Sequence, residues 1–293
     1  MISERTWTSA DGLPLFARDH APADGPAKAA VVCIHGLTRN SKDFEVLAPH
    51  IASRGRRVLS LDVRGRGRSA RDPNPLNYNP MVYAGDVIAL LEQAGISRAI
   101  FVGTSMGGLI TLTLAALRPD MIAGAVLNDI GPEVGAAGIA RIAGYVGGGA
   151  PVKNWAEAGA YAKAINGEAL PDLTDTQWEV FARRIFRDDA GVFSLDYDPA
   201  ISQVFKTAAP STAPVEPTPA PDLWPLFAGL AAGRPILLVR GETSDILEPG
   251  TAGAMAATAP HMARVDIPGV GHAPTLEEPQ AIAAIDAFLA TAP

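Results

Sequence analysis

Six short apolar runs, each bounded by turn residues, alternate along this chain with segments of helical period, and that alternation limits the fold more than any other feature. The runs lie at 29–34, 57–63, 99–103, 122–128, 235–239 and 264–267. Their continuous hydrophobicity suits strands covered on both faces, which is the environment of a parallel sheet. Between them, 42–53, 81–94 and 109–117 read as helices; in the second, Val87, Leu90, Leu91 and Ala94 share a face and Gly95 supplies a C-terminal stop. Strand–helix alternation of this kind predicts a mostly parallel α/β sheet with right-handed crossovers. Asp11-Gly12, between two short stretches of β character, adds an antiparallel hairpin at the start. With 48% hydrophobic and 19% charged residues, the chain has the material for a large core.

The alternation stops after Ile130. From 131 to 233 no run reads as a core strand; helices are expected around 154–165 and 174–186, followed by a stretch holding Pro210, Pro214, Pro217, Pro219, Pro221 and Pro225, a density that favours extended backbone. About a hundred residues is far beyond loop length, so the chain divides into a core α/β domain over 1–131, a cap over 132–233 and the rest of the core over 234–293. The segment 135–150 is rich in Gly and Ala and is expected to be mobile. Aromatic residues make up only 6% of the chain, yet 11 of the 18 fall within 132–233, so the cap is where large rings are available to line a pocket.

The net charge of −7 argues against nucleic acid as a partner, because a duplex-binding surface needs clustered cations. Cys33 is the single cysteine, which excludes an internal disulfide and a thiolate-based metal site. Residues 1–20 carry Glu4, Arg5, Asp11, Arg18 and Asp19 without an apolar stretch, and no run is long enough to cross a bilayer. A cytoplasmic protein without membrane partner is expected.

Chemistry concentrates at Gly103-Thr104-Ser105-Met106-Gly107-Gly108, a G-x-S-x-G pattern between the run at 99–103 and the following helix. A turn of this type lifts a serine Oγ out of the strand–helix junction and points the next backbone N–H at the same place. The serine needs a base, and among the five histidines His272, in a loop just after the last run, is the one placed to reach it; His20, His50 and His261 read as surface groups. The imidazole in turn needs an acid. Asp245, after the run at 235–239, is the favoured residue and Asp129, at the end of the run at 122–128, its competitor, with Glu242 a distant third. Two backbone groups are expected to hold an oxyanion: the N–H of Leu37, turned inward by Gly36 after the run at 29–34, and the N–H of Met106.

Asp62 to Ala70 contains a G-x-G-x-x-A that superficially fits a dinucleotide-binding turn. That reading needs a helix to start at once, whereas Arg71-Asp72-Pro73-Asn74-Pro75 follows. The segment is better taken as a loop whose arginines and Asp62 tie together one edge of the sheet, with contact to an anionic substrate as the lesser reading.

Taken in order, Gly36, the D-x-R-G-x-G-x-S at Asp62 to Ser69, Ser105, Asp245 and the Gly-x-Gly-His at Gly269 to His272 resemble the α/β-hydrolase superfamily. The resemblance spans nearly the whole chain apart from 131–233, where that superfamily inserts its variable cap between strands six and seven of an eight-stranded sheet. Ser105 excludes the usual chemistry of the similar epoxide hydrolases and haloalkane dehalogenases, which use an aspartate nucleophile. The branch implied is that of carboxylesterases, enol-lactonases and C–C hydrolases, acting through an acyl-enzyme without metal or organic cofactor on a small-molecule ester or lactone. The loop at 37–40 lacks the Gly-Pro-Gly of many C–C hydrolases, and perhydrolases share the triad. A ligand-binding protein that keeps the pocket without turnover is the alternative from another class.

Overall fold

In a computed structural model, residues 1–24, 28–149, 152–206 and 221–293 are described. Eight strands form one sheet in the order β1-β2-β4-β3-β5-β6-β9-β10. They are β1 (Ile2–Thr8), β2 (Pro14–His20), β3 (Ala30–Ile34), β4 (Val58–Asp62), β5 (Ala99–Thr104), β6 (Ile122–Asn128), β9 (Ile236–Gly241) and β10 (Ala263–Ile267). β1, β2 and β4 pair antiparallel, and every pairing from β4 through β10 is parallel. The turn expected at Asp11-Gly12 joins β1 to β2, with Gly12 at a φ of 89°.

Side chains alternate across a strand, and the sheet uses this to build two cores. Val32 and Ile34 of β3 face one side with Phe101 of β5 and Leu238 of β9, and there they meet α2 (Pro80–Gln93), α3 (Met106–Leu117), α8 (Trp224–Ala231) and α9 (Pro249–Thr258). Val31 and Cys33 face the other side with Val102 and Val239, under α1 (Leu47–Ser53) and α10 (Pro279–Thr291). With both faces covered, every residue of β3, β4, β6 and β9 is buried, which is why these strands read as unbroken apolar runs.

Between β6 and β9 lie α4 (Ala136–Tyr145), α5 (Trp155–Asn166), α6 (Asp175–Ile185), the hairpin β7 (Phe186–Asp189) and β8 (Val192–Leu195), and α7 (Gln203–Lys206). α5 and α6 match the two helices expected; Asn154 caps the first, and a reciprocal Thr174–Gln177 box starts the second. Trp178, Phe181, Ile185 and Phe186 form a small core of their own. The hairpin was not expected, because its turn at Ala190-Gly191 carries both residues at positive φ without the Asn-Gly or Asp-Gly that usually announces one. Of the proline-rich stretch, the part at 207–220 lies outside the described residues.

The structure adds detail to three further expectations. The helix expected at 42–53 is a 3₁₀ turn at Ser41–Phe44 and then α1; Pro49 is tolerated only in a first turn, so the α-helix restarts at Leu47. The segment at 135–150, expected to be mobile, contains α4. Two of its glycines serve contact: a side chain on Gly135 would strike the Asp245 carbonyl, and one on Gly138 would meet Ile246. Finally, α8 lies within 132–233 in sequence, but Phe227 and Leu230 fill the main core against α3.

Candidate functional site

Parallel register brings three strand ends level. Ile34 of β3 pairs with Gly103 of β5, and Thr104 of β5 with Asn128 of β6, so His35, Ser105 and Asp129 emerge side by side. Ser105 sits between β5 and α3 at φ 51° and ψ −113°, an unusual conformation for a residue with a side chain. The strain is supported on all sides. Ser105 N–H donates to the Asn128 carbonyl at 2.9 Å, and its own carbonyl accepts from Gly108 N–H at 2.9 Å. A side chain on Gly107 would collide with the Ile34 carbonyl and one on Gly108 with Ile130.

The loop after β10 places His272 Nε2 2.9 Å from Ser105 Oγ and Nδ1 2.7 Å from Asp129 Oδ2. Asn128 secures that loop by donating from Nδ2 to the Pro274 carbonyl at 2.9 Å. Asp129, at φ 56° and fully buried, also accepts from Gly241 N–H on Oδ1 at 2.9 Å and from Ser244 Oγ on Oδ2 at 2.6 Å.

The favoured acid of the sequence reading is therefore not the carboxylate on the imidazole. Asp245 pairs with Arg141 of α4 through both oxygens, at 2.7 Å each. That guanidinium holds its carboxyl below the ordinary carboxylate range. The physical reason is direction: Asp245 lies beyond the end of β9 and turns toward α4, whereas Asp129 follows β6, the immediate neighbour of β5, and turns inward. Glu242 is also elsewhere, accepting from Gly269 N–H at 2.8 Å.

The two expected oxyanion donors flank Ser105. Met106 is the first residue of α3, where helical N–H groups have no partner within the helix. Leu37 lies in a loop fastened through carbonyls: the Gly36 carbonyl accepts from His35 Nδ1 at 2.7 Å, and the Leu37 carbonyl from Arg66 Nε at 2.9 Å. Among the described residues, neither the Leu37 nor the Met106 N–H donates a hydrogen bond. His35 is wholly buried and accepts from Val63 N–H on Nε2 at 3.0 Å, so it is neutral, and burial pushes its pKa down to about 4.

The 62–69 segment ties the sheet edge together, and the chain makes only a 3₁₀ turn at Pro75–Asn77 before its next α-helix, α2. Asp62 accepts from Ser41 and Arg68 N–H groups, and burial pushes its pKa up. Arg64, 1% exposed, is surrounded by Asp11, Asp72 and Asp86. These arginines do not line the cleft at Ser105. The cations that do are Arg39 and Arg184, neither singled out beforehand. Arg39 pairs with Asp43 at 2.6 Å and stacks on Phe181; Arg184 pairs with Glu277 at 2.6 Å. Arg184 was legible in principle, since it stands three residues after Phe181 on the inward face of amphipathic α6.

The cleft has two limbs meeting at Tyr145, Ala169 and His272. One, of about 100 Å³, contains Ser105, the 36–39 loop, Leu170 and Phe181; the other, of about 360 Å³, contains Arg141, Glu168, Thr243 and Asp245. Of the cap aromatics, Tyr145 and Phe181 reach the serine limb. Trp178 and Phe186 are the inserted segment's own core, with Trp155 and Tyr161 packed on it.

Residues 31–285 match the sequence profile of the alpha/beta hydrolase family. The crystal structure of an alpha/beta hydrolase from Novosphingobium aromaticivorans is similar at 46% identity, over 99% of this chain and 98% of that one, with a TM-score of 0.88. A 3-hydroxybutyrate-oligomer hydrolase from Cupriavidus necator is 32% identical over 273 residues, 92% of this chain and 91% of its own. A 2-(acetamidomethylene)succinate hydrolase from Mesorhizobium japonicum is 25% identical over 239 residues, covering 81% of this chain and 79% of its own.

Proposed function

Starting from the premise that this chain belongs to the alpha/beta hydrolase family, we propose that it is a serine hydrolase that cleaves a small or medium carboxylic ester through an acyl-enzyme. The observation that carries the reading is the unbroken line Ser105 Oγ, His272, Asp129, with separations of 2.9 and 2.7 Å. Ser105 Oγ attacks the ester carbonyl while His272 Nε2 takes its proton. The Leu37 and Met106 N–H groups, which donate to no other group among the described residues, receive the oxyanion. Collapse of the tetrahedral intermediate expels the alcohol, which takes the proton back from His272. Water activated by the same imidazole then attacks the acyl-serine, returning the free acid and Ser105. Asp129 holds the ring and balances its positive form. Every atom the reaction needs comes from the ester, one water and these side chains.

The inserted segment caps the serine limb with Tyr145, Leu170 and Phe181, which suits a short acyl group with apolar and polar portions. The full-length similarity to a hydrolase of 3-hydroxybutyrate oligomers makes short esters of hydroxy acids the first substrates to try. The test is a panel of p-nitrophenyl esters of increasing acyl length, hydroxy-acid dimers and trimers, lactones and β-diketones, with fluorophosphonate labelling alongside. Turnover of esters and loss of both turnover and labelling in Ser105→Ala is the expected result. Wild-type ester rates in Ser105→Ala would overturn the mechanism.

A further inference from the structure

The hydrogen bonds around Ser244 leave its proton a single destination. Its Oγ accepts from Ile246 N–H at 3.2 Å and from Leu247 N–H at 3.0 Å, which occupies both lone pairs. The hydroxyl hydrogen is then left to point along the 2.6 Å vector to Asp129 Oδ2. Since Ser244 has no lone pair to spare, Asp129 Oδ2 carries no proton toward it. Asp129 Oδ1 in turn receives Gly241 N–H at 2.9 Å, so each oxygen accepts from a donor that cannot accept in return, an arrangement that favours the carboxylate over the acid. The third group on Asp129 is His272 Nδ1 at 2.7 Å, which donates when the carboxylate is ionised. A neutral imidazole with its proton on Nδ1 has its lone pair on Nε2, facing Ser105 Oγ at 2.9 Å.

From this we infer that Ser244 is a positioning residue: through the direction of one hydroxyl it keeps Asp129 charged and His272 in the tautomer that accepts the serine proton. The inference rests on the serine-hydrolase reading with Asp129 as the acid. Ser244 is buried, and its loop is seated beneath α4, where Gly135 N–H donates to the Ile246 carbonyl at 2.8 Å and Arg141 grips Asp245. The inserted segment therefore holds the loop from which the hydroxyl is aimed.

Ser244→Ala removes the donor and leaves Asp129, His272 and Ser105 in place. Loss of a hydrogen bond to a charged group predicts a fall in kcat of about 10- to 100-fold with KM unchanged, because Ser244 does not line the serine limb. Ser244→Thr keeps a hydroxyl and is expected to restore kcat to within a few-fold of wild type. In protein labelled with nitrogen-15 at histidine, the downfield Nδ1 proton of His272 is expected in wild type and Ser244→Thr and lost from Ser244→Ala. If Ser244→Ala does not fold, Ser244→Cys, of similar size with a weak donor, takes its place. Wild-type kcat with an unchanged resonance in the alanine variant overturns the inference. So does an equal fall in the alanine and threonine variants with the resonance intact. Absence of Ser105-dependent turnover in wild type would instead sink the serine-hydrolase reading, and the resonance would still report on Ser244.

Discussion

Strands β6 and β9 lie side by side in the sheet, and each delivers an aspartate to the loop beyond its C-terminal end. Asp129, after β6, is fully buried and meets the imidazole, a serine hydroxyl and a backbone N–H. Asp245, four residues past β9, is 31% exposed and meets a guanidinium from the inserted segment. The first carboxylate is tied to a group whose charge changes in the proposed reaction, the second to one whose charge is permanent. Proximity to the site is common to both; Asp129 hydrogen-bonds the imidazole, whereas Asp245 acts on it only through charge at a distance. The sharpest way to break this contrast is to neutralise Asp129. Asp129→Asn presents an amide that competes for the wrong imidazole tautomer, and kcat is expected to fall about 10³- to 10⁴-fold with the fold retained. Steady-state kinetics on the best ester checks it, with circular dichroism as the control; a fall below tenfold would remove Asp129 from the mechanism.

Burial also separates the histidines, and pH is the lever. His35 is neutral and enclosed, with a pKa pushed down to about 4 against an ordinary 6.5. The unfolded chain therefore binds a proton that the folded one refuses between those values. This contribution to stability is complete above pH 6.5 and is lost as pH falls toward 4, by about 2 kcal/mol between pH 7 and pH 5. The check is urea unfolding at both pH values for wild type and His35→Gln. The variant is expected to lose that part of the slope, and identical slopes would show that His35 does not carry it.

Legibility in the sequence followed locality. Ser105 was readable because the glycines that permit its turn stand within three residues of it, and each has an identifiable close neighbour in the fold. The parallel strands were readable because burial on both faces leaves unbroken apolar runs. The choice between Asp129 and Asp245 was not readable from spacing from a strand, because that spacing says nothing of where a side chain turns. Register holds the missing information: Thr104 pairs with Asn128, which sets Asp129 beside Ser105. The inserted segment was least legible, since α4 depends on glycines packing against the Asp245 backbone and the Ile246 side chain, and β7–β8 on an atypical turn.

The smallest effect belongs to Asp245, and it sharpens the comparison most. Its pair with Arg141 is about one-third exposed on both sides, and pairs of that kind contribute about 0–1 kcal/mol. The guanidinium holds the Asp245 pKa low, so the contribution is present above the unfolded value near 3.8 and lost as pH falls through the lower folded one. At neutral pH, Asp245→Asn is expected to cost no more than about 1 kcal/mol in denaturant unfolding and less than about tenfold in kcat/KM. Arg141→Gln is expected to do the same, and the double variant to be no worse than either alone, because each single change already breaks the pair. If Asp245→Asn instead matched Asp129→Asn in kcat while Arg141→Gln stayed near wild type, the carboxylate beyond β9 would be acting on His272 directly. The two loops would then share the role that the geometry gives to one of them.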